Sequence, residues 1–318
     1  MNDLRFLFLQ ATEIGPYVDG LRAIERATEY PIADGADSFT IDHGADYTRF
    51  FTMLGHDARV TLALRGDRVV GGVVGIARNV RILGKMVPAV YGADMKLAPD
   101  ARGTGIARQM AHWAFRLIFK HPELFTWRYA YAAAMRGAKG DVMRTARGVH
   151  PARLSGKAAT LAVYFVEPER LASLSLSAAP SPPDPDAGVD LSFVTTGQVE
   201  PPGMVSTAGR KDLRLRSTGE PWPLVHLPLG PTAWTPSYGH YLKACGQALA
   251  SMGSGEGPRT SRTNNGVACF ALDERMTTHI DWLSGQGIER GAVCSVYALD
   301  LTLRARRAAW LHLATSEI

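Results

Sequence analysis

Apolar residues recur along this chain at two spacings, and the changes from one to the other mark out its elements. The run "LRFLFLQA", 4–11, reads as a strand, and helical spacing predicts helices over Pro16–Thr28 and Tyr47–Leu54. Residues 59–80 alternate on either side of Arg65-Gly66-Asp67, which predicts a hairpin. A further alternating run, "VPAVYGADMKL", sets Val87, Ala89, Tyr91, Ala93, Met95 and Leu97 on one face and Gly92, Asp94 and Lys96 on the other. Helical spacing returns at Ile106, Met110, Trp113, Ala114 and Leu117, with Arg108, His112 and Arg116 on the polar side. A strand over 127–135, a short helical stretch near Asp141–Arg147 and a strand over 159–166 follow.

The segment "SAAPSPPDPDAG" then interrupts both spacings. Its prolines resist helix and sheet, so it reads as a semi-rigid linker. It divides the chain into 1–176, a linker over 177–188, and 189–318. The second part carries strand 223–229, helix Ser237–Met252, strand 267–272, helix Asp273–Leu283 and strand 292–301, with a polar loop over 253–266. The class is α/β with a mixed sheet of α+β character. The β-α-β-α-β order of the second part repeats the later half of the first and suggests a degenerate duplication, without a residue-by-residue match.

Composition narrows the class. With 46% hydrophobic and 20% charged residues the chain has the balance of a soluble globular protein. No run approaches the roughly 18 apolar residues that span a bilayer, so no membrane span and a cytoplasmic location are expected. Cys245, Cys269 and Cys294 are odd in number and set in apolar segments, which suits reduced core thiols; no metal site is expected. The net charge of +5 is concentrated in Arg136, Lys139, Arg144, Arg147, Arg153 and Lys157. That cluster reads either as a solvated face or as a docking surface for phosphates, with nucleic acid the least favoured partner because no recognition motif accompanies it.

The candidate chemistry lies in "LAPDARGTGIARQM", Leu97–Met110. Pro99 ends a strand, and Gly103 and Gly105 let backbone approach a ligand where a helix begins. The unpaired N–H groups of that first turn form an anion site, with the charges of Arg102 and Arg108 nearby. Neither the Walker lysine nor the third small residue of a dinucleotide fingerprint is present.

Arg102-Gly103-Thr104-Gly105-Ile106-Ala107 resembles the R/Q-x-x-G-x-G/A signature of the GNAT superfamily of acyl-CoA-dependent N-acyltransferases. The preceding strand, the proline and the following helix agree with it, and the resemblance covers about residues 4–167. It implies a GNAT fold with splayed central strands, extended by a C-terminal α/β domain that is either accessory or a degenerate GNAT. It further implies that acyl-CoA is the co-substrate and that the backbone of Arg102, Gly103, Thr104, Gly105, Ile106 and Ala107, with Arg108 beside it, binds the pyrophosphate. Met95, Lys96 and Leu97 would pair with the pantetheine arm and polarise the thioester. An amine on a small molecule or a peptide would then attack directly.

Two departures bear on mechanism. Aligned on Gly148, the family's tyrosine acid position holds Arg144 and its asparagine position Gly137. Tyr131, Tyr129 or Tyr164 is left as a substitute acid or as a packed aromatic, and Arg144 as a group that stabilises a thiolate or contacts a carrier's phosphate. Asp94 reads either as a general base whose pKa burial raises or as a salt-bridge partner of Lys96. His43 and His56, flanking the second predicted helix, are candidates for relaying a proton, and the segment Glu29–Asp46 for shaping the acceptor pocket. Two alternatives stand beside transfer of an acetyl or longer group. One is long-chain transfer from CoA or an acyl carrier protein, suggested by the basic cluster and by Ala130, Ala132, Ala133 and Ala134; the other is a non-catalytic acyl-CoA-binding module.

Overall fold

A computed structural model describes residues 4–32, 36–120, 126–135, 156–197, 199–252 and 266–318. The first part runs β1 (Leu4–Gln10), α1 (Val18–Arg26), β2 (Tyr30–Ile32), β3 (Asp37–Asp42), α2 (Arg49–Thr52), β4 (Asp57–Arg65), β5 (Arg68–Ile82), β6 (Lys85–Leu97), α3 (Ile106–Lys120), β7 (Tyr129–Met135), β8 (Gly156–Val166) and α4 (Pro168–Ala172). The second runs β9 (Gly188–Asp190), α5 (Phe193–Thr196), β10 (Val205–Ser206), β11 (Asp212–Leu215), β12 (Leu224–His226), α6 (Tyr238–Met252), β13 (Val267–Asp273), α7 (Thr277–Gly285), β14 (Ala292–Asp300) and β15 (Trp310–His312).

One sheet joins both parts, in the order β1-β4-β5-β6-β7-β14-β8-β13-β12-β10. Its centre is a reciprocal exchange. In the first part β6 and β7 are parallel and joined through α3; in the second β12 and β13 are parallel and joined through α6. The strand that ends each unit crosses over: β14 pairs with β7, and β8 pairs with β13. The two exchanged strands also pair with one another, from Ala292↔Val163 to Ala298↔Gly156. Neither part therefore completes a sheet alone.

The proline-rich segment is tied down rather than free. Trp310 and Trp282 donate their indole N–H groups to the carbonyls of Asp184 and Ser177, Tyr238 N–H donates to Pro180 O, and Arg81 pairs with Asp186 at 2.8 Å. Within the segment Glu29–Asp46, β2 pairs antiparallel with β3, and β11 extends the pair into a three-stranded sheet. The three cysteines are free and buried. No helix among the described residues is long and apolar enough to cross a membrane.

The two faces of the sheet carry different helices. A Cβ at Gly72 would stand 2.9 Å from Leu21 of α1, whereas one at Gly71 would stand 3.3 Å from Met110 of α3. On the α1 face lie Ile76 and Arg78 of β5, Ala89, Tyr91 and Ala93 of β6, and Tyr129 and Tyr131 of β7. The expected alternation of β6 breaks at Asp94. Ala93 pairs with Val74 and Lys96 with Gly72, so Asp94 and Met95 together oppose Val73 in a bulge. Asp94 takes a φ of +53°, a left-handed conformation that aspartate tolerates better than most residues. The consequence reverses part of the sequence pattern: Met95 turns outward at 46% exposure, and Lys96 joins the α1 face at 5%.

The C-terminal segment is clamped on the same face. Arg78 donates to both carboxylate oxygens of Glu317 at 2.7 and 3.3 Å, and Tyr91 Oη donates to Glu317 O at 2.6 Å. With side chains 0% and 2% exposed, this ion pair is desolvated. Removing one partner strands the other charge, so Glu317→Ala should lower the free energy of unfolding by about 3–5 kcal/mol, measured by urea denaturation.

Candidate functional site

The end of β6 shapes the site. Parallel pairing with β7 runs from Ala89↔Tyr129 to Gly92↔Ala132 and stops. Beyond it β6 continues to Leu97 against β5 alone, while β7 continues to Met135 against β14. The two strands thus open a fork, as the resemblance implies. The bulge at Asp94–Met95 lies on one arm immediately past the last pair.

The turn from β6 into α3 forms the cradle. Gly103 and Gly105 adopt φ of +78° and +84°, and the only atom within 4 Å of a Cβ built on either is the Arg108 guanidinium, 4.0 Å from Gly105. Glycine is needed here for backbone conformation, with open space in front of it. The N–H groups of Gly103, Gly105, Ile106, Ala107 and Arg108 have no acceptor among the described residues. They converge with the positive end of a 15-residue helix.

The cradle is narrower than the sequence implied. Arg102 N–H and Thr104 N–H are turned inward to Pro99 O and Ala101 O, at 3.3 and 3.5 Å. The Arg102 side chain donates to Leu97 O at 3.1 Å, Ala27 O at 2.9 Å and Thr28 Oγ1 at 3.2 Å. It clips the turn to β6 and to the end of α1 rather than reaching outward. Arg108, exposed and without an ion pair among the described residues, remains as the outward charge.

Behind the fork lies a buried polar cluster. Lys96 Nζ sits 3.1 Å from Glu25 Oε1 and 2.5 Å from Asp94 Oδ1. Glu25 also accepts from His43 Nδ1 and from His43 N–H, and Tyr47 Oη donates to Asp94 Oδ2 at 3.0 Å. The His43 ring packs against Tyr47, Phe50 and Phe51. Glu25, His43 and Asp94 bring possible ligand atoms within 4.8 Å of one another, but Lys96 supplies the cation between the two carboxylates. Burial pushes the Asp94 pKa up; the charges of Lys96 and His43 and the hydrogen bonds from Lys96 and Tyr47 outweigh it, and the net shift is downward. Of the two readings of Asp94, the salt bridge with Lys96 is the one present, and its pKa is held down rather than raised.

On the same face a cavity of about 620 Å³ opens between the two parts of the chain. Phe50, Gly55 and His56 line it from the α2 segment, Arg78 and Asn79 from β5, and Thr195, Thr207, Arg210 and Glu317 from the second part. Its volume suits a small ligand, and its walls mix apolar and polar groups. His56 faces this cavity, whereas His43 belongs to the cluster.

The remaining candidates separate. Tyr131 lies just before the fork, stacked on Tyr91 at 4.8 Å and 5°, with its hydroxyl buried and without a hydrogen-bond partner among the described residues; burial pushes its pKa up. The Tyr129 hydroxyl is likewise buried without a partner among the described residues, and Tyr164 stacks on Phe270 in the apolar cluster of the second part. Arg144, Gly137 and the basic cluster from Arg136 to Arg153 lie outside the described residues. Sequence reasoning missed Glu25, although its spacing from Leu21 and Ile24 places an acid on the buried face of α1. The cavity wall left no comparable signal.

The second part has no equivalent cradle among its described residues. A Cβ at Gly230 would meet His312 Nδ1 at 2.8 Å and Asp190 Oδ2 at 3.0 Å. Trp234, buried and 4.2 Å from Tyr238, fills the approach to α6, and its indole N–H donates to Leu229 O.

Among solved structures, the chain is similar to Saccharomyces cerevisiae N-myristoyltransferase with bound myristoyl-CoA, at 9% identity over 94% of this chain and 83% of that one, with a TM-score of 0.53. It is also similar to a probable N-acyltransferase from Enterococcus faecalis, at 10% identity over 95% and 74%, with a TM-score of 0.50. A tandem GNAT protein from the clavulanic acid biosynthesis pathway matches at 13% identity over 93% and 98%, with a TM-score of 0.48. No family model and no curated protein matches the sequence. The likeness in fold to N-myristoyltransferase and to the probable N-acyltransferase spans nearly the whole chain.

The buried cluster makes a prediction about acid. Because the Asp94 pKa is lowered in the folded state, its contribution to stability is complete above the unfolded value near 3.9 and is lost as pH falls through the lower folded value. Asp94→Asn should flatten the fall of melting temperature below about pH 4, measured by calorimetry across pH. At neutral pH, Lys96→Met should destabilise by about 3–5 kcal/mol by stranding two carboxylates.

Proposed function

We propose that this chain is an N-acyltransferase that binds acyl-CoA along the fork and cradle and takes its amine acceptor from the cavity. The carrying observation is the row of unengaged N–H groups at Gly103 and Gly105–Arg108, set at the end of a strand that has parted from its neighbour. An anion is the natural occupant of such a row, and an extended arm the natural partner of the free edge of β6. Pyrophosphate joined to pantetheine offers both. The likeness in fold to a myristoyl-CoA-bound enzyme supports the same reading.

The chemistry follows from the geometry. The free backbone of Met95–Leu97 would hold the thioester carbonyl and stabilise the oxyanion as the amine attacks. The N–C bond forms and the C–S bond breaks, with no covalent enzyme intermediate. A thiol with pKa near 8.5 leaves tolerably as thiolate, so the site can work without the family's tyrosine. No proton transfer is assigned to Tyr131, whose hydroxyl is buried beneath the fork. Asp94 holds Lys96 in place rather than acting as base.

Transfer would be tested by incubating the protein with acetyl-CoA or myristoyl-CoA and a panel of amino acid amides, dipeptides and amino sugars, with mass spectrometry reading the amide product. Tight binding of CoA without amide from any amine would sink the enzyme reading in favour of a binding module. A preference for myristoyl-CoA would select the long-chain form, and a preference for acetyl-CoA would exclude it. Arg108→Ala should weaken CoA about tenfold, through loss of one charge-assisted contact, while leaving affinity for pantetheine, which lacks pyrophosphate, unchanged. Titration calorimetry of both ligands measures the difference.

A further inference from the structure

The segment "LTLRARR", 301–307, follows β14 and carries side chains that the rest of the fold does not use. Leu301 and Leu303 are 52% and 63% exposed, and Arg304, Arg306 and Arg307 are exposed with no ion pair among the described residues. Arg128, also exposed and without an ion pair among them, lies beside this turn, because its carbonyl accepts from Leu301 N–H at 3.0 Å. Four guanidinium groups and two leucines thus share one end of the sheet. The turn's one carboxylate is engaged by its own backbone: Asp300 accepts from Thr302 N–H, Thr302 Oγ1 and Ala305 N–H at 2.9, 2.5 and 2.8 Å. This end of the molecule is left positive.

The turn is held in shape at several points. Arg304 N–H donates to Thr302 Oγ1 at 3.2 Å, Arg307 N–H donates to Arg304 O at 3.0 Å, and the Arg275 guanidinium donates to Ala308 O at 2.8 Å. Within this frame Leu303 takes a φ of +58°. A branched side chain is disfavoured in that left-handed region, where glycine sits freely. Packing would offset the strain in a core residue, but Leu303 projects into solvent. An apolar side chain held outward against its own backbone preference points to a surface outside the chain that covers it.

The chemistry of the turn selects that surface. Two leucines on a short turn present far less than the about 800 Å² that each partner buries in a stable protein interface. A bilayer needs no such area, because anionic headgroups attract the guanidinium groups, each for about a fivefold gain in partition, while apolar tips enter the boundary with the acyl chains. The position of the turn is compatible with this. Asp300 pairs with Tyr129 at the start of β7, whereas the fork opens past Ala132 toward its other end. A bilayer against the turn leaves the fork uncovered.

We propose that the 301–307 turn, with Arg128 beside it, docks this protein on an anionic phospholipid surface. Leu301 and Leu303 sit in the headgroup layer, and the four arginines rest on lipid phosphates. Docking of this kind is independent of acyl transfer and does not rest on the reading above.

The full chain would be sedimented with vesicles of phosphatidylcholine, alone or mixed in equal parts with phosphatidylglycerol. The wild type should follow the mixed vesicles and stay behind with phosphatidylcholine alone. Arg304→Gln, Arg306→Gln and Arg307→Gln together should lower partition about 100-fold, and Leu301→Ser with Leu303→Ser about tenfold. Leu303→Gly separates docking from folding: it removes the left-handed strain, so its melting temperature should hold or rise while partition falls about threefold. Equal binding to both kinds of vesicle, or mixed-vesicle binding unchanged in the arginine or the leucine variant, would overturn the proposal. A wild type that ignores all vesicles would do so as well. If that protein were instead retained by an acidic acyl carrier protein through the same arginines, the turn would belong to a protein partner; a dimer lost in Leu301→Ser by analytical ultracentrifugation would assign it to a second copy of the chain.

Discussion

The bulge at Asp94–Met95 is the constraint on which the site depends. A strand that kept strict alternation past Ala93 would send Lys96 to the α3 face and leave Glu25, on the buried side of α1, without a cation. Inserting one residue against Val73 brings Lys96 onto the α1 face, where it joins Glu25 and Asp94. The left-handed aspartate is a conformational cost on the order of 1–2 kcal/mol, which the ion pair and the Tyr47 hydrogen bond offset. Because the same bulge lies just beyond the last β6–β7 pair, the kink that admits Lys96 also turns β6 away from β7. Electrostatics and the opening of the fork are two effects of one backbone irregularity.

The exchange of β8 and β14 sets the larger frame. A fork in the middle of a sheet leaves backbone groups unpaired on its inner edges, and the arm formed by β7 needs a partner on its other side to stay in place. That partner is β14, which arrives from the far end of the chain. The register from Cys294↔Met135 to Asp300↔Tyr129 covers the whole of β7, both below the fork and beyond it. The second part of the chain thus supplies the partner strand along the whole of β7.

Local signals in the sequence carried the motif and most of the strands and helices, because they depend on spacing within a short window. The Arg102–Ala107 signature, the hairpin at Gly66 and the long helices after β6 and β12 are of that kind. The bulge was not legible, since a period of two gives no hint of where an extra residue enters, and Met95 and Lys96 were consequently placed on the wrong faces. Strand exchange is a long-range choice of partner that spacing does not encode. Arg102 shows a subtler limit: its place in the motif was evident, but its carbonyl acceptors on α1 and β6 belong to the fold.

The two parts of the chain differ at the turn that leads into their long helices. In the first, the turn into the long helix leaves its N–H groups free above two glycines of positive φ. In the second, the corresponding turn is packed by Trp234 and Tyr238, and Gly230 has no room for even a methyl group. A filled cradle cannot hold a phosphate, but it can stabilise a scaffold, because buried aromatics add apolar area and ring contacts. The second part contributes β14 against the fork, Lys211 beside Phe50, and Thr195, Thr207, Arg210 and Glu317 along the cavity. On the proposed acyltransferase reading, the donor side would be built by the first part alone and the acceptor side would lie between the two parts. Variation in the second part would then alter which amine is admitted without disturbing the row of N–H groups at Gly103 and Gly105–Arg108.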